Sequence, residues 1–417
     1  MENWKVEILE NLVEIDSEQL SNATDKDYSF YYIDISSVSS GMISFPSHTT
    51  AFDEAPSRAR KVLRERDILM SSVRPNLKAF ARFNSPDNNS QFIASTGFAV
   101  LSEKNDTDID YIYHCLFSSP IENQIMSLVV GSNYPALNTR DIRKLKIFLP
   151  KEKSEQTKIA SILSTIDEAT SQTEKLISKY QRIKTGMMQD LLTKGIDAKG
   201  NIRSKDTHKF VVKNGIEVPE EWEVVRFGDY IELVHGYQFR NYDFTIDGVA
   251  VVKIGEVKPE GVDLLGCSFV AEKRLEEFPK QQIKNGDILM ALTGATLGKA
   301  CLVGNISVPL LQNYRVGKFE PKFDDFDKRY IYFCLKTDLI LNQIFNKVNS
   351  GAQGNIGKTD FENVWIRQPT VEEQIRIAER LFSLDKTMES ETNYLNKLHS
   401  IKIGLMQDLL SGKVRVK

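Results

Sequence analysis

Two long stretches of the chain carry apolar residues at alternating spacings of three and four, a pattern typical of helices that pair along their length. The first stripe comprises Ile159, Ile162, Ile166, Ala169, Thr173, Leu176, Tyr180, Ile183 and Met187, and the second comprises Ile377, Leu381, Leu384, Met388, Leu395, Leu398, Ile401 and Leu405. Pro150 and Pro369 each precede an acidic stretch, which is a helix-start signal. We therefore predict two helices of roughly 38–40 residues, or about 55–60 Å each.

Helices of this length cannot bury such a stripe against one small domain, because the mean helix has only about 11–12 residues. We predict that the two helices form an antiparallel coiled coil, with an approximate two-fold axis and the rest of each half at opposite ends of a rod. The alternatives are that each helix packs locally or pairs with another chain. The positions expected to serve helix pairing or subunit docking are Ile159, Ile166, Leu176, Ile183, Leu191, Leu192, Ile377, Leu384, Leu398, Leu405, Leu409 and Leu410.

The chain is a tandem repeat, because four sequence signals recur in the same order. They are a tryptophan-led opening at Trp4 and Trp222, DILM at Asp67 and Asp287, YIY(H/F)CL at Tyr111 and Tyr330, and Q-x-x-I-A at Gln156 and Gln374. The offsets between the copies are 218, 220, 219 and 218 residues. Each long helix ends in nearly the same seven residues, GMMQDLL at 186–192 and GLMQDLL at 404–410.

Outside the helices, each half is predicted to be a mixed α/β domain of about 150 residues, an ordinary domain size. Runs rich in β-branched and aromatic residues predict strands within 92–101, 248–254 and 313–321, and the two YIY motifs predict one short helix per half. The polar, glycine-containing stretch near residue 200 predicts a solvated linker. The predicted boundaries are globular domains at 1–150 and 215–369, helices at 151–194 and 370–417, and a linker at 195–214.

Composition excludes several classes of protein. The 417 residues are 41% hydrophobic and 27% charged, and no run approaches the ~20 apolar residues of a membrane span. The cysteines at 115, 267, 301 and 334 form no CxxC motif, so we expect reduced core thiols and no zinc site. The N-terminus has no apolar signal core, and we expect a cytoplasmic protein.

No catalytic motif stands out. The chain has no G-x-S-x-G, no H-E-x-x-H and no tetrapeptide like those of amino-methyltransferases. The stretch GATLGKA at 294–300 resembles a phosphate loop, but it has three residues between its glycines and an alanine where a magnesium-binding hydroxyl belongs. The five histidines are scattered. We therefore expect a chain without catalysis, metal or cofactor of its own.

Local charge points to nucleic acid, although the net charge is −3. Residues 56–84 carry eight Arg or Lys, and both halves have loops rich in Gly, Asn and Gln, the amides that recognise base edges. The candidate DNA contacts are Arg74, Asn76, Lys78, Arg82, Ser132, Asn133, Tyr134, Gln238, Arg240, Asn241, Lys299, Gln353, Asn355 and Lys358. A solvated basic face is the alternative for each residue. Two diverged domains predict two unequal half-sites and a target that is not a palindrome.

The chain resembles the specificity subunits of type I restriction-modification systems. The resemblance rests on PEEWEVVRFGDY, NGDILMALTGATLGKA, LLQNYRVGKFEP and the two proline-led helices ending in MQDLL, and it covers both repeats. The first half departs from this pattern. It has no proline before Trp4, Arg66 replaces the glycine at 286, and SVRPNLKAF replaces LTGATLGKA, which suggests a different subclass of recognition domain.

The resemblance implies that each globular part recognises one part of a bipartite double-stranded DNA target. It implies that the helices set the spacer and dock two modification subunits, which methylate adenine with S-adenosylmethionine. Two restriction subunits would add ATP- and Mg-dependent cleavage. The repeated leucines at 191–192 and 409–410 would cap the coiled coil or meet a modification subunit, and at least one of each pair is expected to pack in a core.

Two other functions remain open from the sequence. A scaffold with two protein-binding heads would show no salt-dependent DNA affinity, whereas a DNA-recognition subunit would show affinity that falls steeply with salt. A nuclease or methyltransferase in its own right would need a carboxylate cluster or cofactor loop that the sequence does not offer.

Overall fold

The structure is a computed structural model that describes residues 3–87, 89–104, 106–129, 136–348 and 356–416. The chain forms two compact units, which we call the first unit (residues 1–175 and 392–417) and the second unit (residues 176–391). Each unit therefore contains the first part of one long helix and the last part of the other.

The first unit consists of strands and short helices that lead into a long helix. Its strands are β1 (Trp4–Ile8), β2 (Val13–Ile15), β3 (Ser29–Ile33), β4 (Val38–Ser39), β5 (Met42–Ile43), β6 (Thr50–Ala51), β7 (Ala59–Val62), β8 (Ile68–Ser71), β9 (Phe80–Arg82), β10 (Phe92–Ser95), β11 (Phe98–Glu103) and β12 (Lys146–Pro150). Its helices are α1 (Leu9–Leu12), α2 (Ile109–Leu116), α3 (Ser119–Leu128), α4 (Thr139–Arg143) and the start of α5 (Lys153–Thr193).

The second unit repeats this order with additions. Its strands are β13 (Phe210–Lys213), β14 (Ile216–Pro219), β15 (Glu223–Arg226), β16 (Ile231–His235), β17 (Phe244–Thr245), β18 (Val249–Val252), β19 (Val257–Lys258), β20 (Gly261–Val262), β21 (Ser268–Val270), β22 (Gln282–Ile283), β23 (Ile288–Ala291), β24 (Ala300–Leu302), β25 (Leu310–Gln312), β26 (Val316–Pro321) and β27 (Trp365–Gln368). Its helices are α6 (Phe227–Tyr230), α7 (Arg274–Glu277), α8 (Lys328–Cys334), α9 (Asp338–Val348), α10 (Lys358–Glu362) and the start of α11 (Val371–Leu409).

Sheet topology confirms the duplication. The four-stranded order β2-β11-β8-β9 in the first unit matches β16-β26-β23-β24 in the second, and both sheets are antiparallel. The tryptophan-led strand pairs with the strand before the long helix in each unit, as β1-β12 and as β15-β27. A parallel pair recurs as β3-β10 and β18-β25. The mixed α/β prediction is confirmed, and the two YIY motifs lie on α2 and α8 as expected.

A glutamine fixes the start of each long helix. The Gln156 amide donates to Pro150 O and accepts from Asp108 N, each at 2.9 Å, so it joins α5 to β12 and to the N-cap of α2. Gln374 makes the same pair of bonds, to Pro369 O and from Asp327 N, also at 2.9 Å. This buried amide is the physical reason for the repeated glutamine, because it pairs the backbone N–H at the N-cap of the short helix and the proline carbonyl ahead of the long helix.

The tail of each long helix is buried in the core around the tryptophan of the same unit. Leu409 and Leu410 lie in the core of the first unit with Trp4, and Leu191 and Leu192 lie in the core of the second unit with Trp222. Within each unit, therefore, the last turns of one helix pack beside the first turns of the other. The two leucine pairs pack in cores as expected, and Gly412 and Gly195 follow them.

Little space remains where these glycines lie. A Cβ atom on Gly195 would be 2.2 Å from Cζ2 of Trp222, and one on Gly412 would be 3.1 Å from Cε2 of Trp4. Both glycines have positive φ values, 66° and 69°, which suits the end of a helix. The chain can therefore turn off each helix directly against the tryptophan ring.

The helices meet in antiparallel fashion through one repeated ion pair. Lys402 contacts Asp167 at 2.6 Å in the first unit, and Lys184 pairs with Asp385 in the second. The lysines are 218 positions apart, as are the aspartates, so the helix register is the same in both units.

Most of the predicted helix-pairing positions are shielded from solvent. Ile159, Leu191, Leu192, Ile377, Leu398, Leu409 and Leu410 are buried, and Ile166, Leu176, Leu384 and Leu405 are half-buried. Ile183 differs, because it is 39% exposed. The second helix ends at Leu409, short of the predicted limit at residue 417.

The segment predicted as a solvated linker contains ordered, buried groups. Ile196 lies in the core of the second unit, Arg203 forms a buried ion pair with Glu373, and β13 begins at Phe210. The expectation of full solvation is therefore wrong for these residues. Their partners, such as Glu373, are too distant in the sequence for a local pattern to predict the contact. No helix in the described part of the chain is long and apolar enough to cross a bilayer.

Candidate nucleic-acid interface

Several loops meet at one edge of the β16-β26-β23-β24 sheet. Because β26 is antiparallel to β16 and β23, its start lies beside their ends, at His235 and Ala291. The second loop cluster comprises residues 236–243, 292–299, 313–315 and 356–358. Backbone hydrogen bonds of 2.9–3.0 Å join its segments, from Tyr314 N to Tyr237 O, from Leu292 N to Arg315 O and from Ile356 N to Leu292 O.

This cluster brings together five of the predicted DNA contacts. Gln238, Arg240, Asn241, Lys299 and Lys358 belong to three of its segments, and all five side chains are exposed. The Lys358 ammonium lies 3.5 Å from a Glu232 carboxylate, and both side chains are nearly half exposed, so this ion pair is weak.

Two buried residues anchor the 236–243 segment. Phe239 packs in a small core with Val249, and the Asp243 carboxylate accepts from Arg240 N and from the Arg274 guanidinium. The side chains between these anchors therefore point outward from a fixed backbone, which suits contact with a ligand.

Two exposed residues of this cluster, Tyr242 and Arg315, are not among the predicted DNA contacts. Tyr242 is 79% exposed, and Arg315 is exposed with its guanidinium 5.1 Å from the Tyr314 ring centroid. A strand is predicted within 313–321, and β26 occupies only Val316–Pro321, so residues 314–315 form a turn ahead of it. The order Asn-Tyr-Arg ahead of an apolar alternation was the available signal for a loop.

A corresponding set of loops occurs in the first unit. The first loop cluster comprises residues 72–78, 96–97 and 136–138. Ser72 N donates to Gly97 O and Leu137 N donates to Ser72 O, each at 2.8 Å, which repeats the bonds of Leu292 and Ile356.

Three predicted DNA contacts belong to this first cluster. Arg74 and Asn76 are exposed, whereas Lys78 is half-buried and its ammonium contacts a Glu122 carboxylate at 2.9 Å. Arg82 lies elsewhere, at the far end of β9, where its guanidinium contacts Asp110 at 2.6 Å. The structure thus separates Arg82 from the other candidates.

The basic stretch 56–84 is largely neutralised by acidic side chains of the same unit. The ion pairs are Arg58–Asp34, Lys61–Asp16, Arg64–Glu18, Arg66–Glu103, Arg66–Asp110, Lys78–Glu122 and Arg82–Asp110. The positive potential of this stretch is therefore smaller than the sequence suggests. Ser132, Asn133, Tyr134, Gln353 and Asn355 lie outside the described residues.

Titratable groups add little to the second loop cluster. Burial is the main cause that lowers the pKa of His235, at the end of β16, so this imidazole is neutral at pH 7. Within the described residues, no group of three or more His, Cys, Asp or Glu side chains is placed to hold a metal ion. The cations of the cluster are therefore its Arg and Lys side chains.

The family model of the type I restriction modification DNA specificity domain matches residues 1–184 and 219–400. The chain belongs to the type I restriction-modification specificity subunits. A specificity subunit is the DNA-recognition component of a type I restriction-modification enzyme, is itself non-catalytic and carries no cofactor. Family membership therefore decides against the scaffold and enzyme alternatives.

Individual relatives agree with this assignment. The specificity subunit of the MjaVIII type I restriction enzyme from Methanocaldococcus jannaschii is 30% identical over 330 residues, which cover 78% of this chain and 75% of that protein. The EcoBI specificity subunit of Escherichia coli is 22% identical over 318 residues, 73% of this chain and 65% of that one. The S subunit from M. genitalium has the same fold, with a TM-score of 0.62 at 15% identity over 98% of this chain and 96% of that chain.

Proposed function

We propose that the two loop clusters of this specificity subunit contact double-stranded DNA, and that each recognises one part of a bipartite, asymmetric target. The observation that carries the proposal is that three equivalent loops meet at the same sheet edge in both units but present different side chains. Equivalent placement indicates a shared role, and different side chains indicate different bases.

The second loop cluster supplies the larger set of contacts. Gln238, Asn241 and Arg315 have the amide and guanidinium groups that recognise adenine and guanine edges in the major groove. Arg240, Lys299 and Lys358 are suited to phosphates, which position a protein on the duplex. Exposed Tyr242 adds an aromatic face.

The first loop cluster supplies Arg74 and Asn76, and Lys78 holds the turn that carries them. Because these residue types and their spacing differ from the second cluster, the two half-sites are expected to differ in sequence. The target is therefore expected not to be a palindrome.

We further propose that two modification subunits dock on equivalent surfaces of the long helices. Beyond the neighbouring backbone of the helix itself, no atom lies within 4 Å of the position that a Cβ would occupy on Gly186 or Gly404. Close packing within the unit therefore does not require glycine at either position. A glycine inside a helix costs up to about 1 kcal/mol relative to alanine, so its presence in both repeats requires another reason.

The surroundings of these glycines suit a protein partner. Ile183 and Ile401, equivalent residues, are 39% and 38% exposed, and the equivalent Gln189 and Gln407 are also exposed. A helix position without a Cβ lets a partner approach the helix backbone closely, and the nearby isoleucine offers apolar surface area that the partner can bury. We propose that the modification subunits supply S-adenosylmethionine-dependent adenine methylation, that two restriction subunits add ATP- and Mg-dependent cleavage, and that the complex works in the cytoplasm.

The experiment that tests this function is a genome-wide map of methylated adenines in a host that carries the cognate modification subunit. The map is made with the gene for this chain intact and with the gene deleted. We expect a spacer-interrupted, non-palindromic motif that disappears on deletion and returns on complementation.

An unchanged map in cells with an active modification subunit would contradict the proposal. A motif that is present but contiguous would contradict only the assignment of one half-site to each unit.

A further inference from the structure

Gly97 and Arg315 occupy the same position in the two loop clusters but present different side chains. Ser72 N donates to Gly97 O at 2.8 Å, and Leu292 N donates to Arg315 O at 2.9 Å. In each unit the next residue begins a strand, β11 in the first and β26 in the second. The two backbones are therefore equivalent here, and the side chain decides what each cluster can contact from this point.

The first unit has no room for a side chain at this position. A Cβ atom on Gly97 would lie 2.1 Å from Cδ1 of Ile35 and 3.0 Å from its Cγ1. Ile35 in turn packs against the small core that contains Phe98. In the second unit the Arg315 side chain is exposed. Of the two clusters, only the second therefore presents a side chain to a ligand from this point.

A buried amide braces the turn that carries Arg315. Gln312 is 0% exposed, and its amide donates to Val316 O at 2.6 Å, across the turn, and to Val234 O at 2.8 Å, near the end of β16. The equivalent strand of the first unit has Ala94 at this position, which cannot make these bonds. A backbone held in this way restricts the directions in which the Arg315 side chain can extend.

Arg315 lies in the middle of the second loop cluster. Its carbonyl binds one neighbouring segment through Leu292 N, and the preceding Tyr314 N donates to Tyr237 O of another segment at 3.0 Å. The Arg315 guanidinium lies 5.1 Å from the centroid of the Tyr314 ring, which attracts a cation. It forms no ion pair with any residue that the structure describes. The guanidinium is thus oriented by the ring and keeps its donors available for a ligand.

We propose that Arg315 recognises a guanine in the half-site bound by the second unit, with its guanidinium donating to O6 and N7 of the base. Guanine presents two neighbouring acceptors in the major groove, and the planar guanidinium can donate to both at once. Base edges lie between the two phosphate backbones, so a residue in the middle of the cluster is suited to contact a base. This inference rests on the proposed function and adds a base contact that the first unit does not make from the equivalent position.

The test uses the complete chain assembled with its modification subunits, and a duplex that carries the motif from the methylation map. Each guanine of the motif, in either strand, is replaced in turn by 7-deazaguanine, which lacks the N7 acceptor but still pairs with cytosine. At one position this replacement is expected to weaken binding by the wild-type complex roughly five- to tenfold, the effect of losing one of the two hydrogen bonds.

Two substitutions of Arg315 separate base recognition from charge. Arg315→Ala is expected to weaken binding to the unmodified duplex roughly ten- to a hundredfold and to abolish the difference between guanine and 7-deazaguanine at that position. Arg315→Lys keeps the charge but not the planar fork. For this variant we expect the wild-type slope of log affinity against log salt concentration and a smaller effect of 7-deazaguanine. Because the side chain is exposed, both variants are expected to keep the melting temperature of the wild type.

Lys299→Gln is the matched control, because it removes another exposed cation from the same cluster. If Lys299 contacts a phosphate, its loss lowers the salt slope by about one, and the response to 7-deazaguanine stays that of the wild type.

Several outcomes overturn the inference while leaving the proposed function intact. They are a motif without a G·C pair, a wild-type complex that is indifferent to 7-deazaguanine at every position, and an Arg315→Ala complex that still distinguishes the two bases wherever the wild type does. An Arg315→Ala complex that loses only salt dependence would show that Arg315 contacts a phosphate. A wild-type complex that does not bind the motif at all would overturn the proposed function as well.

Discussion

His114 and Phe333 occupy the same position in the two copies of one short helix, but their surroundings differ in polarity. The His114 ring lies 3.0 Å from the Ser164 hydroxyl, whereas Phe333 packs against Phe382, with ring centroids 4.9 Å apart. Ser164 and Phe382 are themselves equivalent. Burial is the main cause that lowers the pKa of His114 to about 4, although Asp167, 3.8 Å from Nδ1, opposes the shift. His114 is therefore neutral at pH 7, and its approach to Asp167 is not an ion pair there.

This buried imidazole predicts that the folded state loses stability in acid. Below pH 6.5 the unfolded chain binds a proton that folded His114 accepts only near pH 4, so stability falls as pH falls through this window. Between pH 7.5 and pH 5 the loss is about 2 kcal/mol. We expect the double variant His114→Phe/Ser164→Ala to lose about that much less over the same interval, as measured by urea unfolding at the two pH values. His48→Gln, at an exposed position, serves as the control, and an acid loss equal to that of the wild type in the double variant would refute the assignment.

At the scale of elements, the start of each long helix is joined to the segment that follows the other helix. Arg415 donates to both Glu155 oxygens, at 2.6 and 2.8 Å, in the first unit. Arg203 makes the corresponding bidentate pair with Glu373 in the second. The two joints differ in burial, since the Arg203 side chain is 8% exposed and the Arg415 side chain is 40% exposed.

The difference in burial predicts that replacing the glutamate by alanine lowers the unfolding free energy by unequal amounts at the two joints. Glu373 also accepts from Ile196 N at 2.8 Å and from the Trp222 indole at 3.1 Å, so Glu373→Ala removes the carboxylate that pairs with a buried guanidinium and the acceptor of two further donors. We expect a loss of roughly 3–5 kcal/mol in unfolding free energy. After Glu155→Ala, water can still solvate the Arg415 guanidinium, so we expect a loss of only about 1 kcal/mol in unfolding free energy. Chemical denaturation of both variants measures the two losses, and equal losses would show that burial does not control this joint.

At the scale of the whole molecule, duplication places equivalent helix surfaces in both units, on which we propose that the modification subunits dock. Gly186 and Gly404 lie on these proposed surfaces, each one turn after an exposed isoleucine. The loop clusters have diverged between the repeats, so surface residues that both helices retain suit a common partner.

We therefore expect Gly186→Leu or Gly404→Leu to leave one modification subunit bound per chain, and the double variant to leave none. A leucine at either site occupies the space through which the partner approaches, and it also favours the helix, so the folded chain should persist. Native mass spectrometry measures the stoichiometry. Gln181→Leu, exposed and about 140° around the helix from Gly186, is the control. A full complex in the double variant would place docking elsewhere.

The sequence by itself determined the two repeats, the two long helices, the mixed α/β class and the burial of the repeated leucines. Each of these is written in local periodicity or in spacing, because a helix stripe or a strand alternation depends on residues a few positions apart. Arg240, Asn241 and their neighbours were found in the same way, because the local composition of a loop indicates that it is exposed.

The tertiary structure alone decided which partners those residues meet. The basic stretch 56–84 looks like a nucleic-acid surface in the sequence, yet Lys61 and Arg82 pair with Asp16 and Asp110. Arg203 looks like a linker residue, yet it is buried against Glu373. Such pairs join residues far apart in the chain, and their choice depends on the whole packed fold, which no local pattern encodes.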